Sequence, residues 1–281
     1  MQIVGANFDF KAKLPIFVDK YRLESRMEPL FTIITVTYNA AETIGRTIES
    51  VDSQTFKIYE HLIIDGRSKD ATLDIVARHS NPLRVVLSEP DKGLYDAMNK
   101  GIGRAKGDYL IFLNAGDKFH SADTLRHLAD LVVDNDKPGI LYGQTDIVDN
   151  NGMRLGDRHL KAPESLTLKS FSKGMLVCHQ AFIPLRRIVG MYNLKYRYSA
   201  DYEWCIRCLQ HSRRNVYAGE VLIDYLSEGL TTANRRKSLK ERFDIMCYYY
   251  GTFPTLVRHV GFFFRRLRQA RKEKRQQTIK S

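Results

Sequence analysis

The fold of this chain is decided by the stretch Asp108-Tyr109-Leu110-Ile111-Phe112-Leu113-Asn114-Ala115-Gly116-Asp117. Its five consecutive apolar residues predict a strand buried on both faces, and this strand ends in a small, acidic turn. A carboxylate at the carboxyl end of a buried parallel strand lies where open α/β sheets bind ligands. It also suits a divalent metal on a phosphate, because Mg²⁺ and Mn²⁺ favour oxygen ligands. The turn therefore points to an enzyme acting on a phosphorylated, nucleotide-bearing substrate.

Strands and helices alternate along residues 31–148. Further strands are predicted at 31–37, 61–65, 83–87 and 139–148, and helices at 40–53, 71–79, 94–106 and 122–135. This order implies an α/β fold, with a mostly parallel sheet and helices on both faces. Polar residues follow successive strands, so we expect a ligand crevice at one rim of the sheet.

The pattern loosens after residue 150. Asn150-Asn151-Gly152 predicts a hairpin turn, and we expect a helix at 200–211 and a strand at 215–225. Helices are predicted at 235–250 and 255–275. We divide the chain into an N-terminal extension (1–30), a main domain (31–230) and a basic helical tail (231–281).

The charge of the chain is concentrated in this tail. Residues 231–281 carry 14 Lys and Arg against three acids, which is almost all of the net charge of +12. We therefore expect an anionic partner for the tail. The nearly neutral main domain argues against a nucleic-acid-binding module, which needs a basic face. No leader peptide or spanning apolar run is visible, so we expect a cytoplasmic protein. The CxxC pair, Cys205 and Cys208, is expected to be two buried thiols.

Five short segments occur in order: Phe31–Ala40 with its Thr-Tyr-Asn turn, Ile63–Thr72, Glu89–Gly101, Leu113–Asp117 and Ser199–Glu203. Together they resemble the family 2 glycosyltransferases, which have the GT-A fold. The third segment is similar to bacterial polysaccharide-assembling members. The resemblance covers most of the chain, with a nucleotide-sugar half at 31–120 and an acceptor half at 121–230.

The resemblance implies an inverting, non-processive transfer of a hexose or N-acetylhexosamine. The donor would be UDP- or GDP-linked, with Mg²⁺ or Mn²⁺ as cofactor. The acceptor would be a hydroxyl of a glycan or of a polyprenyl-diphosphate-linked sugar. The implied setting is cell-surface polysaccharide synthesis, such as capsule, O-antigen or exopolysaccharide, at the inner face of the cytoplasmic membrane.

The resemblance also assigns residues. It makes Asp201 the catalytic base, with Glu203 as the nearest rival, and Asp117 the metal ligand. Acceptor contacts are implied for His179, Gln180 and Glu203. Nucleotide-sugar contacts are implied for Thr37, Tyr38, Asn39, Asp65, Asp91, Asp96 and Asn114.

Two positions depart from the family pattern. Gly66 follows Asp65 where relatives often have paired acids, so the base contact rests on Asp65 alone. The metal motif reads Asn-Ala-Gly-Asp, which leaves Asp117 as its one carboxylate.

Plainer structural roles remain open for several of these residues: a helix-terminal acid for Asp201, a turn or cap for Asp117, loop solvation for Asp65, an exposed helix face for Asp96, and a satisfied buried histidine for His179.

Other functions are less compatible with these motifs. A sugar-nucleotide nucleotidyltransferase would carry a glycine-rich, basic loop after the first strand, and a dinucleotide oxidoreductase would carry GxGxxG there. This chain has Thr37-Tyr38-Asn39-Ala40 instead. A processive synthase would carry membrane spans and a QxxRW motif. A nucleotide-sugar-binding protein without transfer activity stays open.

The tail predicts a basic amphipathic helix. Its apolar stripe includes Leu256, Val260, Phe263 and Phe264, and arginines lie toward another face. Such a helix can bind an anionic membrane surface, or it can pack its apolar face on the domain.

Overall fold

The computed structural model of the chain defines residues 28–227 and 234–261. Most of the predicted N-terminal extension and the end of the predicted tail helix lie outside these residues. The first sheet is parallel throughout, with strand order β3-β2-β1-β4. Its strands are β1 Phe31–Thr37, β2 Tyr59–Asp65, β3 Arg84–Ser88 and β4 Tyr109–Phe112. Strands β1 and β4 are buried along their whole length, as the apolar runs predict.

The connecting helices cover both faces of this sheet, which confirms the predicted α/β layering. They are α1 Ile44–Asp52, α2 Thr72–Arg78 and α3 Leu94–Arg104. Helices α1 and α2 pack on the face that contains Ile63. Helix α3 packs on the other face, where a Cβ at Gly101 would lie 2.5 Å from the Ile34 side chain. This close approach seats α3 directly on β1.

Residues after β4 form a second sheet that the sequence did not separate from the first. Its order is β5-β9-β6-β7, and β8 also pairs with β6. The β6–β9 pairing is parallel, and the other pairings are antiparallel. The strands are β5 Lys118–Phe119, β6 Ile140–Val148, β7 Arg154–Asp157, β8 Phe182–Pro184 and β9 Asn215–Leu226. The turn between β6 and β7 confirms the predicted hairpin.

The remaining helices are α4 Thr124–Asp134, α5 Leu168–Phe171, α6 Ala200–His211 and α7 Arg235–Tyr250. A further helical segment begins at residue 252. Helix α6 is central, because Trp204 is fully buried among the rings of Phe112, His179 and Tyr192. Cys205 and Cys208 are buried free thiols on this helix, as expected. Among the described helices, none combines the length and apolarity needed to cross a bilayer.

Candidate active site

A cleft of about 430 Å³ opens at the carboxyl ends of β1 and β4, the rim where the sequence predicted it. Its floor and walls come from the ends of β1, β4 and β9 and from the start of α3. Five of the residues assigned from the sequence line it: Thr37, Tyr38, Asp91, Asn114 and Asp117. The parallel strands thus bring together residues that are 80 positions apart in the chain.

The loop after β1 offers an aromatic face to this cleft. The Tyr38 side chain is 60% exposed, so its ring is available for stacking. Asn39 holds the loop in place, with a left-handed φ of 49°. Its side-chain oxygen accepts a hydrogen bond from the Lys69 backbone N–H at 2.8 Å, and its own N–H donates to Ser68 Oγ at 2.8 Å. Asn39 therefore fixes the position of Tyr38 from outside the cleft.

Asp65 is fully buried beneath this loop, and both of its carboxylate oxygens are engaged. Oδ1 accepts a hydrogen bond from Ser68 Oγ, and Oδ2 accepts from the Ser68 N–H and from Ser88 Oγ at 2.6 Å. These contacts join the ends of β2 and β3. The full burial of Asp65 and its contacts with the two serines favour a structural role.

The two acids on the approach to α3 have different surroundings. Asp91 lines the cleft, and its Oδ1 accepts a hydrogen bond from the Gly93 N–H at 2.8 Å. Asp96 lies in the first turn of α3, and its Oδ2 accepts from the Lys92 N–H at 2.9 Å. Asp96 thus closes the turn that precedes the helix, whereas Asp91 faces the place where a ligand would bind.

Asp117 sits at the base of the cleft and is 3% exposed. Its Oδ1 accepts a hydrogen bond from the Leu226 N–H at 2.9 Å, and its Oδ2 accepts from Gln180 Nε2 at 2.9 Å. Burial raises the pKa of Asp117 to about 7, although these two donors and the nearby Arg46 charge oppose the rise. A cation beside Asp117 would favour the charged carboxylate.

The oxygen atoms around Asp117 fit a divalent metal. Within the described residues, the side-chain oxygens of Asn114 and Thr37 are buried and have no hydrogen-bond partner. Both residues line the cleft with Asp117. Buried polar atoms are rarely left without a partner, and hard oxygen atoms are the ligands that Mg²⁺ and Mn²⁺ prefer. Asn114 is thus a second candidate ligand in a motif with one carboxylate.

Asp201 lies in the first turn of α6 and is partly exposed. Its Oδ1 accepts a hydrogen bond from the Tyr95 hydroxyl at 3.1 Å, and Leu94, the neighbour of Tyr95, lines the cleft. Burial raises the pKa of Tyr225 in the cleft wall. Asp201 is not one of the residues that line the cleft, and its link to the cleft is the hydrogen bond to Tyr95 on α3.

The three residues expected to contact the acceptor are not equivalent. Burial lowers the pKa of His179 to about 4, and its Nε2 pairs with the Tyr192 hydroxyl at 2.5 Å. Gln180 instead supports Asp117.

Glu203, the rival base, is 4% exposed and bound by Arg207 and the Tyr249 hydroxyl. These contacts join α6 to α7 and favour a structural role for Glu203.

A histidine–aspartate cluster in the second sheet has a spacing that could suit a metal. The ligand atoms of His120, Asp146 and Asp224 lie within 4.8 Å of one another. However, Asp224 pairs with Lys118 Nζ at 3.1 Å, and Asp146 pairs with Arg154 Nε at 2.5 Å. Each carboxylate already has a cationic partner, so we assign this cluster to sheet stability.

Residues 32–189 match the family described as Glycosyl transferase family 2. The chain belongs to this family. The match covers nearly all of the first sheet and the Asp117 turn, but not the cleft residues Tyr225 and Leu226. The α/β architecture follows the GT-A type. It supports transfer of a sugar and lends no support to the nucleotidyltransferase alternative.

Curated relatives of the chain are named as biosynthetic glycosyltransferases. The chain is 33% identical over 189 residues to "PGL/p-HBAD biosynthesis glycosyltransferase" of Mycobacterium bovis, covering 65% of this chain and 71% of the relative. It is 31% identical over 153 residues to "Putative teichuronic acid biosynthesis glycosyltransferase TuaG" of Bacillus subtilis, covering 53% and 60%.

Solved structures share the fold at lower identity. TarS (1-349) of S. aureus in complex with UDP-GlcNAc superposes with a TM-score of 0.63 at 19% identity, covering 79% of this chain and 65% of TarS. The mannosyltransferase PcManGT of Pyrobaculum calidifontis, in complex with GDP-Man and Mn²⁺, gives 0.56 at 14% identity, covering 88% and 82%.

Two residues that position the site were not found from the sequence. Arg46 on α1 donates from Nε to the Gly116 carbonyl at 2.7 Å and from Nη1 to the Asp149 carbonyl at 3.0 Å. It thereby ties the Asp117 turn to the β6–β7 hairpin. Tyr95 carries no sequence signal of its own, because an aromatic residue on an amphipathic helix usually predicts core packing.

Proposed function

We propose that the chain is an inverting, non-processive glycosyltransferase using a UDP- or GDP-linked hexose or N-acetylhexosamine. The acceptor in this proposal is a hydroxyl of a glycan or of a polyprenyl-diphosphate-linked sugar. The pathway would build a cell-surface polysaccharide such as capsule, O-antigen or exopolysaccharide. Relatives named for glycan biosynthesis support the pathway, and structural neighbours holding UDP-GlcNAc and GDP-Man support the donor class.

One observation carries the proposal: Asp117 lines the cleft, and the Asp201 carboxylate is bound by Tyr95, the helical neighbour of the cleft residue Leu94. The expelled diphosphate gains negative charge, and Mg²⁺ or Mn²⁺ bound by Asp117 and Asn114 would supply the compensating positive charge. The acceptor hydroxyl must lose its proton, and Asp201 is the carboxylate that takes it. Tyr95 holds Asp201 in position, and the exposed ring of Tyr38 stacks on the nucleobase.

The proposal is tested with purified protein, a panel of UDP- and GDP-sugars, Mn²⁺ and glycan acceptors. We expect release of the nucleoside diphosphate in equal amount to a glycosylated product. Proton NMR of the product should show the opposite anomeric configuration to that of the donor. Retained configuration would contradict inversion, and nucleotide binding without any product would favour a binding protein.

We also propose that the C-terminal helices dock on an anionic membrane at its cytoplasmic face. Support comes from exposed apolar side chains in the described part of the tail, at Tyr248, Phe253, Leu256, Val257 and Val260. Apolar side chains enter the lipid interface while the basic tail attracts anionic headgroups.

Vesicle co-sedimentation tests this docking. Binding to vesicles that contain anionic lipid should weaken as salt is raised, and it should be lost on truncation after residue 254. Binding that is independent of salt, or absent in the intact chain, would refute it.

A further inference from the structure

We propose that Arg242, Thr255 and Arg258 form a binding site for a phosphate group on the C-terminal helices, outside the cleft. Arg242 belongs to α7, and the other two residues belong to the helical segment that begins at residue 252. None of these three residues lines the cleft. The inference does not rest on the proposed sugar transfer, because it follows from side chains that the donor site does not use.

The first argument is a group of buried polar atoms without a hydrogen-bond partner. Within residues 28–227 and 234–261 there are six such side-chain atoms, and three of them are Arg242 Nε, Thr255 Oγ1 and Arg258 Nη1. Buried polar atoms nearly always have a partner, so a group of exceptions indicates a ligand. An arginine N–H and a threonine hydroxyl can all donate hydrogen bonds. The missing partner is therefore an acceptor.

The second argument is the positive charge of the two arginines. In the described part of the chain, neither guanidinium donates a hydrogen bond or pairs with a carboxylate. The adjacent acid, Glu241, is already engaged, because its two oxygens accept hydrogen bonds from the backbone N–H groups of Arg197 and Tyr198 at 2.9 and 2.8 Å. An arginine cannot lose its charge, and a buried charge without a partner is costly. The acceptor should therefore be an anion.

The third argument is the geometry of the two helices. Phe243 and His259, eight residues before and eight after Gly251, pack with their ring centroids 5.0 Å apart. The helices thus run antiparallel and face each other at these two rings. Each arginine directly precedes one of the rings. In an antiparallel pair of right-handed helices, the residues before two facing residues project to the same side. Arg242 and Arg258 therefore lie on one side of this helix pair.

Other contacts agree with this placement. Thr255 precedes Arg258 by three residues, so the two share a helix face. The Arg258 Cζ lies 6.0 Å from the centroid of the Tyr250 ring, which holds the guanidinium against α7. Burial raises the pKa of Tyr202 on α6, and the charges of Arg242 and Arg258 both oppose this rise. The common side of the two arginines is thus the side toward α6.

Phosphate is the anion that suits these three donors. A guanidinium presents paired N–H groups that match phosphate oxygens, and the several oxygens of one phosphate can accept from two arginines and a hydroxyl together. The phosphate could be part of a soluble molecule or of a lipid headgroup, because both have this chemistry. The exposed side chains of Leu256 and Val257 lie on the same helical segment, so a headgroup could reach the site from a membrane surface.

The test uses the full chain and two forms of phosphate. Calorimetry measures the binding of inorganic phosphate, with chloride at equal ionic strength as the reference. Co-sedimentation compares vesicles of phosphatidylcholine with vesicles that also contain phosphatidic acid, and the difference between them is the readout.

The variants remove one donor each: Arg242→Met, Arg258→Met and Thr255→Val. The matched control is Arg236→Met, which removes an exposed arginine of α7. Each of the first two variants should weaken phosphate binding by about tenfold or more, because a hydrogen bond between charged groups is lost. Thr255→Val should weaken it less, and Arg236→Met should match wild type.

The outcomes identify the source of the phosphate or overturn the inference. Binding of inorganic phosphate that Arg242→Met and Arg258→Met lose would identify a site for a soluble phosphate group. A response to phosphatidic acid alone, lost in the same variants, would identify a lipid headgroup. Folded wild type that binds neither form would overturn the inference. Wild-type binding by both variants, or an equal loss in Arg236→Met, would also overturn it.

Melting temperatures without phosphate verify that each variant is folded. Where a methionine variant does not fold, Arg242→Lys and Arg258→Lys keep the charge but lose the paired N–H donors. These two variants should still weaken phosphate binding, and wild-type affinity in both would overturn the inference.

Discussion

The contact between Tyr95 and Asp201 makes a sharp prediction for catalysis. The Tyr95 hydroxyl donates to Asp201 Oδ1 at 3.1 Å, and the ring packs on Tyr192 with centroids 5.4 Å apart. Burial and the Asp201 charge raise the pKa of Tyr95 well above its ordinary value, so the hydroxyl keeps its proton and always donates. Tyr95→Phe removes this donor and preserves the ring.

The size of the effect follows from the geometry. A hydrogen bond to a charged group contributes about 1.5–3 kcal/mol. The O···O distance of 3.1 Å is long for this type of bond, so we expect the lower end of the range. About 1.5 kcal/mol corresponds to a loss of roughly tenfold in kcat. Because Tyr95 orients the base and does not hold the nucleotide, the KM for the donor should change little.

Steady-state kinetics with a saturating acceptor measure this split between kcat and KM. The matched control is Tyr59→Phe, which removes a buried hydroxyl with the same 3.1 Å hydrogen bond, from Tyr59 to the Val51 carbonyl, outside the cleft lining. Its kcat should stay at the wild-type value. The reasoning fails if Tyr95→Phe has wild-type kcat, or if its loss appears in the donor KM instead.

Three further predictions concern metal binding and stability. Substituting a residue that only contacts a metal ligand typically costs roughly 10- to 100-fold in metal affinity. Asp117→Asn changes the proposed ligand itself, so it should weaken UDP binding in the presence of Mn²⁺ by at least this factor. Calorimetry with and without Mn²⁺ checks this, and an equal loss of UDP affinity under both conditions would contradict it. Burial lowers the pKa of His61 from 6.5 to about 3, so as the pH falls the unfolded chain takes up a proton that the folded state excludes. Between pH 6.5 and about pH 3 this uptake should lower the free energy of unfolding by about 1.4 kcal/mol per pH unit. Urea titrations at several pH values should show a weaker pH dependence of the free energy of unfolding for His61→Gln. Gly107→Ala should cost about 1–3 kcal/mol, because its Cβ would lie 2.5 Å from the Thr32 backbone nitrogen. Gly103→Ala has room on helix α3 and should cause no loss of stability in the same titration.

The secondary structure was largely predictable because its signals are local. The apolar run before Asp117 marked a buried strand, and the observed α7 has the predicted bounds of 235–250. The first sheet followed from the alternation of strand and helix. The second sheet did not, because its pairings join β5 to β9 and β6 to β9, strands separated by long irregular segments.

Five of the twelve residues assigned from the sequence line the cleft, and the contacts among the site residues were not predictable. Tyr38 and Asp117 could be placed at one rim, because parallel strands end at the same edge. The engagement of Asp65 by Ser88, of Asp117 by Gln180 and of Asp201 by Tyr95 joins residues 23, 63 and 106 positions apart. No short sequence window contains such contacts.

The central claim is that Asp201 is the base of a sugar-transfer reaction in this cleft. The most direct measurement compares Asp201→Asn with wild type in nucleotide affinity and in turnover, with the same donor, acceptor and Mn²⁺. We predict unchanged affinity for the nucleoside diphosphate and a loss of turnover by several orders of magnitude, since the variant cannot take up the acceptor proton. Turnover close to that of wild type would contradict the account.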